Sequence, residues 1–361
     1  MRQGLRHPVV YALMTAVLFG SGAPLAKTLL QSSSPIVLSA LLYFGSGVGL
    51  SLYLLITTLI GKQRAGREAS LTKNDIPWLS GVILFGGFLA PLTFMISLQY
   101  THAATASLLL NFEAVATTII AVVLFHEEVG RRVWLALLLI TTACILLALN
   151  PLAFFRFSIP AIGILATCFF WSLDNNVARH IAAKDPLIII TIKGLCGGSL
   201  SLLTALFLKE TLPSIYTIEA GLMLGFISYG GLTSVLFLLA LRGIGTARSA
   251  SFLAISPIFG VPIALLLFTD LPSSSFFLAA PIMALGVWLL ITEHHSHPHH
   301  HDDEVHEHRH RHDDLHHEHS HSPDMPPLLS SGDHSHPHHH KELTHDHPHR
   351  PDIHHRHTHE R

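Results

Sequence analysis

Charge is scarce in this chain: Asp, Glu, Lys and Arg make up 13% of the 361 residues, against 49% apolar residues. Cysteine is scarcer. Cys144, Cys168 and Cys196 all lie in apolar stretches without paired spacing, which excludes a disulfide framework and a thiolate zinc site. There is no basic stripe of the kind that tracks phosphates, so nucleic acid is not expected as a partner. Nor does any nucleophile–base pair, phosphate loop or zinc-binding helix motif occur, and an enzyme is not expected.

What is present divides into two unlike polymers. Residues 293–361 hold 26 of the 30 histidines and only seven apolar residues. The preceding 292 residues are about 58% apolar, well above the ~45–50% of soluble domains. Net charge divides the same way, with 16 basic and 10 acidic side chains before residue 293 and 6 and 14 after it.

A helix needs about 20 mostly apolar residues to cross a hydrocarbon core about 30 Å thick. Ten runs satisfy this: Val9–Leu30, Ser34–Ile60, Ile76–Tyr100, Ala103–Phe125, Arg132–Leu149, Pro160–Ala182, Pro186–Leu208, Ile218–Leu241, Thr246–Phe268 and Ser275–Ile291. The alternation of a membrane barrel is missing, so the expected class is an all-α integral membrane protein. Arg2 and Arg6 ahead of the first run imitate a secretory signal, but Pro24 after Ser21-Gly22-Ala23 and the resumed apolar run argue against cleavage.

The chain also repeats itself. Ser97–Ala148 aligns without a gap on Ala240–Ile291, which pairs Leu98 with Leu241, Ala104 with Ala247, Leu110 with Leu253 and Glu127 with Asp270. Upstream, Phe19, Ser21, Ala26 and Lys27 align with Phe170, Ser172, Ala178 and Arg179 once two one-residue gaps are allowed. Five spans per copy is an odd number, so the second copy enters the membrane from the opposite side: residues 9–149 and 160–291 form two inverted-topology five-helix repeats. With a cytoplasmic N-terminus, twelve of the Lys and Arg residues fall on the inner side and three, Lys27, Arg156 and Lys209, on the outer. The positive-inside rule then places both termini and the tail in the cytoplasm of a cell that carries the protein in its plasma or inner membrane.

Two five-helix copies, the loop Phe125-His126-Glu127-Glu128 and the Ala-rich helix starts at Ala103-Ala104 and Ala247 resemble the EamA-type drug/metabolite transporter superfamily. The resemblance covers residues 9–291 and implies a ten-helix carrier or exporter of small metabolites. It also implies a central cavity lined by the third, fourth, eighth and ninth helices with parts of the first and sixth. Two features depart from the pattern: Thr269-Asp270-Leu271 replaces a frequent Gly-Glu pair, and the histidine tail is not a family trait.

Ionisable groups at membrane depth are costly and are therefore functional candidates. Glu113 lies about 12 residues, or ~18 Å, from the inner end of the fourth span. Asp174 and Lys193 lie at similar depths, ~12 and ~10 Å, on consecutive antiparallel spans. Mutual neutralisation is the simpler account of that pair, and an ion pair that opens during transport is the functional one. Asn175 and Asn176 add two amides beside Asp174. Glu113 has no cation at its depth, which suits a carboxyl exchanging a proton for a cargo amine or cation; the alternative is a neutral hydrogen bond with Asn111 or Asn176. His102, His126 and His180 read as solvated span ends. The runs Phe19–Pro24, Phe85–Pro91 and Ser256–Pro262 are expected to interrupt helices, either at a cavity or for close packing.

The tail cannot bury a core and is expected to be disordered. Its candidate ligands for Ni, Zn, Co or Cu are His294, His295, His297, His299, His300, His301, His306, His308, His310, His312, His336, His338, His339 and His340. Three readings follow. One is a proton-coupled secondary carrier of a small metabolite or drug-like solute with a metal-binding, regulatory tail and no required cofactor. Another is a divalent transition-metal exporter whose tail captures or senses its cargo. The last is a membrane-anchored metal store, for which ten spans are excessive. Against metal cargo, the spans hold no Met, Cys or His cluster at mid-depth.

Overall fold

Capping side chains and prolines set where helices begin. Ser34 accepts a hydrogen bond from the Val37 amide and Asp185 from that of Leu187, each followed by a proline at the first helical position, and Ser214 caps its helix through Thr217. In the computed structural model the chain is described over residues 6–60, 69–125, 129–149, 158–182, 184–244, 246–269 and 272–292, and in the tail over 296–301, 304–310, 334–340 and 343–348. For residues 6, 7, 125, 242, 243, 246–248 and the tail segments this description is of the backbone alone.

The helices are α1 (Arg6–Leu29), α2 (Pro35–Leu59), α3 (Lys73–Gln99), α4 (Ala103–Leu124), α5 (Arg131–Ala148), α6 (Ile159–Ala178), α7 (Pro186–Phe207), α8 (Ile215–Leu241), α9 (Ser249–Leu267) and α10 (Ser274–Ile291). Among the described residues, nine are long and apolar enough to cross a membrane. The exception is α6, which is 20 residues long but carries Asp174-Asn175-Asn176. Large apolar side chains such as Leu59, Phe207, Leu266 and Trp288 face outward, as a lipid-facing surface requires and an aqueous one does not tolerate.

Helices from the two halves of the chain pack in matched pairs: α2 lies on α7, α5 on α10, α1 on α8 and α9, and α6 on α3 and α4. Small residues set the approach; a Cβ on Gly194 of α7 would stand 2.5 Å from the Gly47 amide nitrogen of α2. At one end of the bundle the segment before α3 is tied to the one before α7 by the Asp185 amide, which donates to the Ala69 carbonyl at 3.1 Å, and by Lys184 and Asp75 at 3.7 Å.

Two helices change their winding in mid-span. Val82–Leu89 of α3 and Gly225–Tyr229 of α8 are π-helical, and their first residues lie 143 positions apart, the offset of the sequence repeat. Hydroxyls from outside the segments hold the loosened carbonyls: Tyr43 donates to Gly86 at 2.5 Å, and Thr233 to Ile227 at 2.8 Å. Two further helices break at matching places, α4 after Leu109 and α9 after Leu253. The run Phe19–Pro24 corrects an expectation, because α1 continues unbroken through Pro24. Its glycine serves packing instead: Gly20 lies against the Ser256 carbonyl of α9, where a Cβ has no room.

No fixed structure is expected from the tail sequence. The described backbone there forms two antiparallel pairings, Ser296–His301 with Leu343–Pro348 and Glu304–His310 with His334–His340. Two-stranded ribbons of this kind are marginally stable in water.

Candidate functional site

The breaks and π segments surround a cavity. Its wall takes Thr15 and Phe19 from α1, Tyr43 from α2, Val82 from α3, Glu113 from α4, Trp171 and Asp174 from α6, Lys193 from α7 and Tyr229 from α8. It continues past Ala178, Ile189 and Leu241 toward the end of the bundle where α3 and α7 begin and α6 and α8 finish. With about 70 Å³ of room, at ~10–15 Å³ per water on the same measure, it holds about five waters' worth of cargo. At the opposite end Lys27 of α1 donates to the carbonyls of Leu98 and Gln99, both at 2.8 Å, and so caps the last turn of α3.

Glu113 stands one residue into the second half of broken α4 and is buried. Its Oε1 accepts from Asn175 Nδ2 at 2.8 Å, while its Oε2 has no hydrogen-bond partner among the described residues. The backbone beside it is fastened to α6 by Ser172, whose hydroxyl donates to the Glu113 carbonyl at 3.0 Å.

Next to it, Lys193 donates to Asp174 Oδ2 at 2.5 Å, with both side chains 7% exposed. The other carboxylate oxygen, Asp174 Oδ1, is buried without a partner among the described residues. Gly86 makes room for this pair, since a Cβ there would land on the Asp174 carboxylate. The other half of the molecule reverses the arrangement: at the position 143 residues beyond Gly86 stands Tyr229, whose ring faces Gly22 of α1. In both halves a polar side chain fills the space its glycine partner leaves.

Aromatic rings complete the wall. Trp171 stands edge-on to Phe19 at 5.5 Å and lies 5.6 Å from Phe94, which in turn lies 6.2 Å from Tyr229.

Residues 7–149 match the EamA-like transporter family. The chain is also 28% identical, over 292 residues, to an uncharacterized transporter of Methanothermobacter thermautotrophicus, an alignment covering 77% of this chain and 84% of the relative. The matched region, residues 7–149, is an EamA-like transporter domain. The chain is a multi-pass integral membrane protein and a membrane transporter of small solutes. A solved crystal structure of 16% identity has a similar fold, with a TM-score of 0.57 over 78% of this chain and 94% of the other.

The residues singled out by depth do converge. Glu113, Asp174, Lys193 and Asn175 line one cavity. The partner of Glu113 differs from expectation: it is Asn175, whereas Asn176 turns to the carbonyls of Thr117 at 3.3 Å and Ser172 at 2.8 Å. Asn111 is buried at the break in α4, its Oδ1 without a partner among the described residues. His180 is not simply solvated, because its ring stacks on Trp78 at 3.8 Å. Helices α2 and α7 also reach the cavity, through Tyr43 and Lys193, beyond the set implied by the family resemblance. Tyr43 and Tyr229 escaped sequence reasoning, because tyrosine in an apolar span carries no signal of depth or direction. Glu127, Glu128, His126 and Asp270 of the helix-end loops lie outside the described residues, as do the side chains of the tail histidines.

Proposed function

We propose that the protein is a proton-coupled secondary carrier that moves a small metabolite by alternating access between two inverted five-helix repeats, residues 9–149 and 160–291. Glu113 is the coupling carboxyl. The observation that carries this is its half-satisfied state: Glu113 lines the cavity with one oxygen fixed by Asn175 and the other buried with no partner among the described residues. A proton and a cargo can compete for such an oxygen. The matched helix pairs and the two π segments support a two-fold arrangement of repeats, in which similar halves rock about a fixed central site. The cavity extends toward the end that the positive-inside rule assigns to the cytoplasm, while Lys27 fastens the other end, the arrangement of an inward-facing carrier.

The test is proton movement in proteoliposomes holding the full chain. An imposed pH gradient is expected to drive solute exchange in the wild type. Glu113→Gln is expected to abolish this drive, and gradient-driven exchange by Glu113→Gln at the wild-type rate refutes the assignment.

A second reading, a divalent-metal exporter with the tail as its collector, is favoured by the 26 tail histidines. The cavity argues the other way. Among the described residues no three His, Cys, Asp or Glu side chains gather, and one of the two cavity carboxylates is already tied to Lys193. We therefore assign the tail a buffering or regulatory role in binding Ni, Zn, Co or Cu. Cellular Ni, Co, Zn and Cu measured with the full chain, a chain stopped before Glu293 and Glu113→Gln separates the two: loss of metal movement in Glu113→Gln makes metal the cargo, whereas retention that follows the tail alone makes it a buffer.

A further inference from the structure

Around the cavity the donors of Thr15, Tyr43, Thr233, Lys193 and Asn175 are committed, and two carboxylate oxygens are open. Thr15 donates to Tyr11 at 2.8 Å, Tyr43 to Gly86 and Thr233 to Ile227, all of them backbone carbonyls. Lys193, the one cation in the described wall, ends on Asp174, and Asn175 ends on Glu113. Against these stand three buried atoms of wall residues with no partner among the described residues: Glu113 Oε2 and Asp174 Oδ1, and the Tyr229 hydroxyl, which can accept or donate. An ionised carboxylate oxygen can only accept, and a buried acceptor without a donor is destabilising. With Glu113 deprotonated, two carboxylates against one ammonium also leave the wall with one uncompensated negative charge. The remaining surface is apolar, with the rings of Phe19, Tyr43, Trp171, Tyr229 and Phe237 beside aliphatic side chains such as Val82, Ile189 and Leu253, which suits a cation with an apolar body.

We infer that the cargo is a small primary ammonium compound, its N–H groups filling the open oxygens of Glu113 and Asp174 and its apolar part against the aromatic wall. This deepens the carrier reading and rests on it. A carboxylate cargo has no uncommitted cation to meet, and an amino acid brings such a carboxylate with it. A quaternary ammonium carries the charge but has no N–H for either open oxygen.

Four small probes decide the question. Isobutylammonium has five heavy atoms. Tetramethylammonium has the same number and charge but no N–H donor; valine adds a carboxylate to the isobutylammonium skeleton; isobutyrate carries a carboxylate in place of the aminomethyl group. Each is applied to the full-length protein in detergent, with the unfolding temperature as the measure of binding, and in proteoliposomes, with exchange read above protein-free liposomes. Isobutylammonium is expected to raise the unfolding temperature at concentrations at least tenfold lower than tetramethylammonium or valine, with no effect from isobutyrate. Glu113→Gln is expected to weaken that response at least tenfold. Tyr229→Phe, which removes a single hydroxyl and leaves the ion pair in place, is expected to weaken it severalfold and guards against a Glu113 variant that fails to fold.

Stronger or equal binding of tetramethylammonium, valine or isobutyrate overturns the inference, as does an isobutylammonium response unchanged in both variants or the absence of any response. Binding without exchange keeps the ammonium site and removes the carrier reading. Exchange of valine or isobutyrate in place of the amine keeps the carrier and removes the ammonium assignment.

Discussion

The carboxylate of Asp174 occupies the space that a Cβ on Gly86 would need. The π segment of α3 and the ion pair between α6 and α7 are therefore one packed unit, since Gly86 also gives its carbonyl to Tyr43. Gly86→Ala is expected to push Asp174 away from Lys193 and to cost about 3–5 kcal/mol, the range for breaking a buried pair. Unfolding in detergent measures it. A loss under about 1 kcal/mol would show that the carboxylate can move aside freely.

The Asp174–Lys193 pair itself invites a double-mutant cycle. Asp174→Asn or Lys193→Met alone leaves one buried charge without its counterpart and is expected to cost about 3–5 kcal/mol. The double variant is expected to recover part of that loss, because no uncompensated charge remains. Additive losses in the cycle would mean that the two side chains are not coupled, contrary to their 2.5 Å contact.

Asn175 fixes the orientation of Glu113. Asn175→Ala removes the donor to a buried carboxyl oxygen and is expected to destabilise the protein by about 1–3 kcal/mol. In exchange assays the same variant is expected to lose cargo affinity while keeping its response to a pH gradient, because the carboxyl remains but is no longer aimed. An unchanged half-saturating concentration would remove Asn175 from the site.

Lys27 joins α1 to the last turn of α3 at the closed end. Hydrogen bonds from a charged donor contribute about 1.5–3 kcal/mol each, so Lys27→Met is expected to shift the population toward the state open at that end. The readout is labelling of a cysteine at Ala103 by an impermeant maleimide, with the exposed Cys196 replaced by serine. Labelling is expected to quicken about tenfold, the change corresponding to 1.4 kcal/mol; an unchanged rate would show that other contacts keep this end closed.

Stopping the chain before Glu293 removes the histidine tail and leaves α1 to α10. Solute exchange is expected to persist and Ni or Zn binding by the purified protein to disappear, measured by equilibrium dialysis. Retained metal binding at unchanged stoichiometry would place the metal site in the helical region.

The depths of Glu113, Asp174 and Lys193 were legible because distance along a single helix follows from counting residues at a fixed rise. That count also brought Asp174 and Lys193 together, since they lie on consecutive antiparallel helices. It failed for Glu113, whose donor is 62 positions away. Depth selects a level in the bundle but not a direction around the helix, so Asn111, Asn175 and Asn176 could not be ranked from sequence.

The sequence by itself determined the membrane class, nearly all helix positions and the self-similarity at an offset of 143 residues. Each of these depends on local hydropathy or on self-similarity, which need no knowledge of neighbours. Only the tertiary structure decided that α3 and α8 wind as π-helices at matching places, that Gly86 yields its space to Asp174, and that Glu113 and Asp174 line one cavity, each with an oxygen lacking a partner among the described residues. Those facts depend on which helix faces meet, and that is fixed by side chains far apart in sequence competing for the same volume and the same hydrogen-bond donors.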